Sequence, residues 1–250
     1  IEVQTYGWMS SEWMDAIGYE PGPTLNLQNP IAADRYRMRT SLLPNLLAVV
    51  RQNRRVRDRM DIFEIGRVFA VDFEGRKSEH TEVAGLSFDL DPKGSVEKQF
   101  RGVRGAIEDL VAVSGRPPMR FVREHVSGLP WSAPDATLAI RDGAALAGHL
   151  GVLPVALARR VAGGENAVWF SLRAAAIQGP VYPSFDVKPA PTFPSSWQDF
   201  TFVWPVQRGF AELSDVLDGF RHVSLDDRTL VDFYQARDSE TGKYSLRFAL

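Results

Sequence analysis

The 250-residue sequence contains no cysteine. That excludes disulfides, thiolate nucleophiles and cysteine-ligated zinc, and it suits a reducing compartment such as the cytoplasm. Long apolar runs are missing as well. None reaches the roughly 18 residues a membrane-spanning helix needs, so no membrane role is expected. Neither sign of charge is in excess: 29 Lys and Arg stand against 31 Asp and Glu, a net charge of −2. Such a chain has no global field for a polyanion, and any contact with nucleic acid must come from a local patch. Histidine is sparse. His80, His125, His149 and His222 are scattered without metal-ligand spacing and read as surface or hydrogen-bonded side chains. The acidic pair Asp226-Asp227 reads as a solvated turn. Gly102-Val103-Arg104-Gly105 is too short for a phosphate loop and falls in a helical pattern. No signal peptide is expected, because Ile1–Tyr6 alternates like a strand and lacks a charged leader. The chain also opens without Met, which reads as a piece of something longer.

What is present is ordinary globular composition, with 44% hydrophobic and 24% charged residues and enough apolar content for a core. Pro180, Pro183, Pro189, Pro191 and Pro194 crowd one stretch, so residues 178–199 read as a linker or strapped-down crossing segment. It separates an expected domain at 1–177 from another at 200–250. In the first, strands are expected at Ile1–Trp8, Ile62–Val71, Glu82–Leu90, Met119–Arg123, Ala136–Ile140, Ala145–Leu150 and Asn166–Leu172. Helices are expected at Ser11–Ile17, Thr40–Arg57 and Val96–Val113. Leu43, Leu46, Leu47 and Val50 form one apolar helix face, which reads first as core, and Asp142-Gly143 signals a tight hairpin turn. Hairpins dominate, which argues for a mainly antiparallel sheet with helices packed on it. In the second, a strand at Phe200–Trp204, a helix at Phe210–Phe220 and strands at Thr229–Tyr234 and Tyr244–Ala249 give the order β-α-β-β, part of a split β-α-β unit.

Four stretches resemble the bacterial phenylalanyl-tRNA synthetase β chain. The first is Asn29-Pro30 with Arg39-Thr40-Ser41-Leu42-Leu43-Pro44, Leu46-Leu47 and Asn53. The second is Ile62-Phe63-Glu64-Ile65-Gly66-Arg67-Val68-Phe69. The third is the helix pattern Phe100–Val113. The fourth pairs Leu230–Gln235 with Gly242-Lys243-Tyr244-Ser245-Leu246-Arg247. The resemblance implies an α+β fold: a class II synthetase-like antiparallel sheet with flanking helices, inactive in itself, then an incomplete ferredoxin-like anticodon-binding domain. It also implies a catalytic α subunit as partner in an (αβ)₂ heterotetramer, tRNA(Phe) as a further partner, and ATP and Mg²⁺ used by the holoenzyme with none bound by this segment. One departure stands at Phe193-Pro194-Ser195-Ser196-Trp197-Gln198-Asp199, where the family usually carries paired arginines before the aspartate. The alternative is therefore a β-like paralogue that binds RNA or protein without aminoacylation.

A working class II core holds ATP phosphates with arginines, because developing phosphoryl charge must be neutralised. Here the matching strand carries Glu64, so no adenylation and no catalytic residue is expected in this chain. Arg39, Ser41, Leu43, Leu46, Leu47, Val50 and Glu64 are candidates for the subunit interface, with Arg39 and Glu64 a possible buried pair that sets the helix angle. Arg51, Arg54 and Arg55, with Arg57 and Arg59, crowd a helix C-terminus, where positive charge is favourable in any case. They are also candidates for RNA contact. Tyr234, Lys243 and Arg247 complete that set, Tyr234 because an outward aromatic on a strand can stack on an unpaired base.

Overall fold

Two long alternating runs build one margin of the main sheet. In the computed structural model they form a hairpin paired in unbroken register from Arg59↔Asp89 to Val71↔Lys77. The structure describes residues 1–91, 94–124, 126–179, 196–220, 222, 225, 227–237 and 239–249. The five prolines of the crossing segment, Phe193, Ser195, His125 and Asp226 lie outside the described residues. The chain divides into two compact units, Ile1–Ser184 and Phe185–Leu250.

The first unit runs β1 (Trp8–Met9), α1 (Ser11–Ile17), β2 (Arg37–Met38), α2 (Leu43–Asn53), β3 (Arg59–Val71), β4 (Lys77–Asp89) and α3 (Val96–Val113). It continues with β5 (Arg120–Arg123), β6 (Thr137–Asp142), β7 (Ala145–Val152), α4 (Val155–Val161), β8 (Asn166–Arg173) and α5 (Ala174–Ile177). Six strands form one antiparallel sheet in the order β3-β4-β8-β7-β6-β5. Side chains alternate across it, so one face carries Ile62, Leu86, Phe88 and Trp169 into a core with the leucines of α2. The other carries Val83, Leu150, Val168 and Leu172 onto Ile107 and Val111 of α3. The sheet is thus covered by helices on both sides, as an α+β layer structure requires.

Local signals explain the elements. Ser10 and Ser95 cap α1 and α3, accepting from the backbone N–H of Trp13 and Lys98 at 3.3 Å each. Pro44 sits in the first turn of α2, where its missing N–H costs nothing. The Asp142-Gly143 hairpin forms as expected, Asp142 facing Ala145 and Gly143 at φ 57°.

Several expectations are corrected. The expected strand Ile1–Trp8 is mostly an extended segment, tied beside β3 by a single parallel bridge, Glu2↔Phe63, with Val3 N–H donating to Phe63 O at 2.9 Å. The helix expected over Thr40–Arg57 is shorter, Leu43–Asn53. Gly102 and Gly105 have nothing within contact distance of an added Cβ, so close packing does not explain them. Helices α4 and α5 had no sequence signal long enough to read. No helix among the described residues is long and apolar enough to cross a membrane.

The second unit comprises β9 (Trp197–Pro205), α6 (Gly209–Asp218), β10 (Asp227–Tyr234) and β11 (Thr241–Ala249). Its sheet has the order β10-β11-β9, both pairings antiparallel. β9 begins at Trp197, earlier than the expected Phe200. Leu213 of α6 packs on Tyr244 and Leu246, with Phe202, Trp204, Phe210 and Phe248 around them.

Candidate functional site

The start of α2 is held by two buried carboxylates of the hairpin. Glu64 on β3 is 2% exposed and accepts from Arg39 Nη1 at 2.7 Å. Thr5 adds its hydroxyl to Glu64 at 2.7 Å and its backbone N–H at 3.2 Å. Arg39, 5% exposed, also donates to Arg67 O at 2.8 Å through Nε and to Thr5 Oγ1 at 2.9 Å. Gly66 faces this cluster, and a Cβ there would overlap the Arg39 guanidinium and crowd Glu64 and Leu42. The Glu64-Ile65-Gly66 sequence is therefore a seat for Arg39, a carboxylate and then a space.

Glu82 on β4 closes the same helix end. Its Oε2 accepts the Leu42 N–H at 2.7 Å, and its Oε1 accepts from the Ser41 hydroxyl at 3.3 Å and from the Ser171 hydroxyl. Ser41 Oγ in turn accepts the Leu43 N–H at 3.2 Å. Burial raises the Glu82 proton affinity above that of an ordinary glutamate, and the Ser171, Leu42 and Ser41 hydrogen bonds work against it. A carboxylate at a helix N-terminus is favoured by the orphan N–H groups and the helix dipole.

This arrangement decides between the two readings of the leucine face in favour of core. Leu43, Leu46, Leu47 and Val50 are at most 2% exposed within this chain's own core, and Arg39 and Glu64 lie beneath the N-terminal segment. None of these side chains is available to a partner. The face of α2 that meets solvent instead carries Asn45, Ala48, Val49 and Gln52. It forms a wall of a cleft of about 850 Å³. The other wall holds Tyr6 and Trp8, stacked with ring centroids 4.4 Å apart. Arg51 lies over the Trp13 ring at 5.2 Å. Arg51 and Arg55 line this cleft with no carboxylate partner among the described residues. Arg54 also lines it but is committed in part, donating to Arg160 O at 3.1 Å and so tying α2 to the end of α4.

In the second unit the strands present one face away from α6. Phe233 packs on Tyr244 at 4.5 Å, on the helix side, so its neighbour Tyr234 points the other way and is 60% exposed. Tyr234 lies opposite Lys243 in register. Arg247 shares that outward face but is held by Asp199 in a bidentate pair, at 2.8 and 2.9 Å. The pairing lowers the Asp199 pKa, chiefly through the Arg247 hydrogen bond. Tyr234 and Lys243 have no side-chain hydrogen-bond or ion-pair partner among the described residues, and Arg247 is neutralised in place.

A class II nucleotide site does not fit the Arg39–Glu64 corner. Phosphate oxygens there would meet a buried carboxylate whose cation is already engaged. Sequence reasoning missed the buried role of Glu82. A glutamate that opens an otherwise apolar strand run was the available signal. The structure also brings His80 and His149 together at one cleft beside Glu82. Burial lowers the pKa of both histidines.

Known proteins share this fold and this sequence. The fold is similar to that of pyrrolysyl-tRNA synthetase from Desulfitobacterium hafniense, at a TM-score of 0.55 and 14% identity, covering 71% of this chain and 59% of that one. That likeness shows a class II tRNA synthetase fold. The sequence is 30% identical to the phenylalanine–tRNA ligase beta subunit of Methylococcus capsulatus over 98% of this chain and 31% of that protein. It is 29% identical to the corresponding subunit of Moorella thermoacetica over 100% of this chain and 32% of that protein. The chain therefore spans about a third of the length of these relatives. Residues 1–172 match the family described as the phenylalanyl tRNA synthetase beta chain CLM domain, and the chain belongs to the phenylalanyl-tRNA synthetase β-chain family.

Proposed function

We propose that this chain is the non-catalytic β portion of a phenylalanine–tRNA ligase, scaffolding the catalytic α subunit and helping to dock tRNA(Phe). The observation that carries the reading is the buried Arg39–Glu64 pair: in a chain of this family, the strand that would grip ATP phosphates is spent on holding its own helix. Residues 1–177 are then a class II core-like domain, 178–196 the crossing segment, and 197–250, from the first residue of β9, part of a ferredoxin-like anticodon-binding domain. The strand order β10-β11-β9 supports the last assignment, because it is the arrangement of the first three strands of that fold. ATP and Mg²⁺ belong to the α subunit's site in an (αβ)₂ heterotetramer, in the cytoplasm.

The surface offered to the α subunit is the outer face of α2 with its cleft, not the leucine face. Arg51 and Arg55 are the cations there suited to tRNA phosphates or partner carboxylates. Tyr234 and Lys243 are the corresponding groups of the second unit. A β-like paralogue that binds RNA or protein without supporting aminoacylation is the second reading, favoured by the Asp199–Arg247 pair that neutralises the sheet face. Co-purification with a cognate α subunit, followed by aminoacylation with and without this chain, separates the two. A complex that charges tRNA(Phe) supports the first reading. A chain that stays alone while retaining RNA binding supports the second. Pyrophosphate exchange by this chain unaided would overturn both.

A further inference from the structure

The β3–β4 hairpin outruns its sheet. β8 pairs with β4 only over Glu82–Asp89, so residues 67–81 form a two-stranded arm beyond it. The turn of this arm is fixed by hydrogen bonds. Asp72 Oδ1 accepts the N–H of Glu74 at 2.9 Å and of Arg76 at 2.8 Å, and Asp72 O accepts the N–H of Gly75 at 3.0 Å. The Arg76 guanidinium pairs with both Asp72 and Glu74. At the apex of this ordered turn stands Phe73, 100% exposed. Turns favour small polar residues, and a phenylalanine left in water forgoes about 1.5–3 kcal/mol of burial. Fully exposed, it does nothing for this chain's own core.

The same hairpin carries an open apolar trough at its other end. Alternation puts Phe63, Ile65, Phe69 and Val71 on the sheet face that α3 covers. That helix packs chiefly on β8 and leaves the β3 margin open. Phe63 and Ile65 are 36% and 54% exposed there. With Val103, Ala106, Leu110 and Phe170 they line a trough of about 870 Å³. At its rim Arg59 faces Asp61, and Asp89 accepts the Asp91 N–H. Lys98, on the same rim, has no ion-pair partner among the described residues. The turn of the arm, by contrast, holds two carboxylates to one guanidinium.

We propose that two copies of this chain pair through this face, the arm of each lying along the trough of the other. A two-fold axis suits the features, because knob and trough sit on one chain and are complementary. The strand from Arg59 to Val71 is about 40 Å long at roughly 3.3 Å per residue. An antiparallel overlay centred near Arg67 therefore sets the tip of one copy at the Lys98 end of the other copy's trough. Phe73 then meets apolar surface, and the turn carboxylates meet Lys98. The charges nearest the axis, Arg67 and Glu79, form a neutral pair 3.6 Å apart, which a second such pair can meet with opposite signs facing. A contact about 40 Å long and roughly 15 Å wide covers about 600 Å² per copy, the low end for specific interfaces, so the dimer is a weak one. Neither the α subunit nor tRNA takes part, and the proposal stands or falls separately from the scaffold role.

The test uses the full 250-residue chain. Sedimentation velocity between about 5 and 200 µM should show a reversible monomer–dimer equilibrium with a dissociation constant of roughly 10–100 µM. Phe73→Ser changes only an exposed turn, and Leu110→Asp puts a charge on the part-exposed trough wall. Each should weaken the dimer about tenfold or more, as loss of an apolar anchor does, with the thermal unfolding of Phe73→Ser unchanged. Because the chain has no cysteine, Glu74→Cys and Lys98→Cys can be placed together as a reporter pair. The length of the hairpin keeps them from bridging within one copy. Mild oxidation should link the double variant into a covalent dimer and leave each single-cysteine chain largely unlinked. A chain monomeric at 200 µM, a dimer indifferent to either Phe73→Ser or Leu110→Asp, or cross-linking that the single-cysteine chains match would each overturn the proposal.

Discussion

Removing the Arg39 side chain tests the central packing argument most directly. The guanidinium and the Glu64 carboxylate are 7% and 3% exposed as side chains and meet at 2.7 Å. Deleting one partner strands the other charge in the core, a loss of about 3–5 kcal/mol in comparable buried pairs. Arg39→Met should fall in that range, a drop of roughly 10 °C in Tm for a unit of this size. Glu64→Met should cost a similar amount, because it strands Arg39. The double variant leaves no charge behind. It still orphans Arg67 O and the Thr5 hydroxyl, at about 1–3 kcal/mol for unmet buried groups. Its loss should therefore be smaller than the sum of the two single losses by at least about 2 kcal/mol, inside the range of couplings measured for contacting residues. Urea unfolding followed by tryptophan fluorescence measures all four corners, since Trp131 and Trp169 sit in the same unit. Additive single effects, within about 0.5 kcal/mol, would refute the reasoning by showing that the pair does not act as one buried element.

Gly66→Ala should destabilise by about 1–3 kcal/mol or more, as overpacking does, because its methyl takes the space of the Arg39 guanidinium; thermal unfolding checks it. Glu82→Gln should change the pH dependence of stability. The folded-state affinity of Glu82 for a proton is raised, so its contribution is fully present below the ordinary glutamate value of 4.5 and is lost as pH climbs through the folded value. The glutamine variant should match the parent near pH 4 and exceed it at pH 7.5, by about 1.4 kcal/mol for each tenfold difference in proton affinity. Denaturation at the two pH values decides, and an equal gap at both would contradict the assignment. Lys243→Ala should leave stability within about 0.5 kcal/mol, as an exposed residue does. In the tRNA-bearing complex it should weaken binding and reduce its salt dependence, read by titration at two ionic strengths.

Much of the chain was readable without coordinates. The helix Val96–Val113 has the expected bounds, because its apolar spacing runs for five turns and Ser95 caps it. The strands of the main sheet were legible from alternation, and the two-residue turn after Asp142 from its glycine. Short helices were not. Val155–Val161 is too brief for periodicity to separate it from a strand, and it forms because Leu157, Ala158 and Val161 are buried in the sheet's core. The α2 helix was expected at 40–57 and spans Leu43–Asn53, and its leucine face is core, a choice the sequence left open because an apolar stripe looks the same whether it meets its own sheet or another subunit.

Local sequence determined the elements, the family motifs and the presence of Glu64 in the strand of the second motif. These follow from neighbouring residues, whose spacing sets which face each side chain takes. Only the tertiary structure decided what that glutamate does. Arg39 and Glu64 are 25 positions apart, and Glu82 reaches Ser171 across 89. Countercharge and burial belong to such distant pairings, so the strand order, and not the chain order, makes one carboxylate a closed lock and leaves the other facing an open cleft.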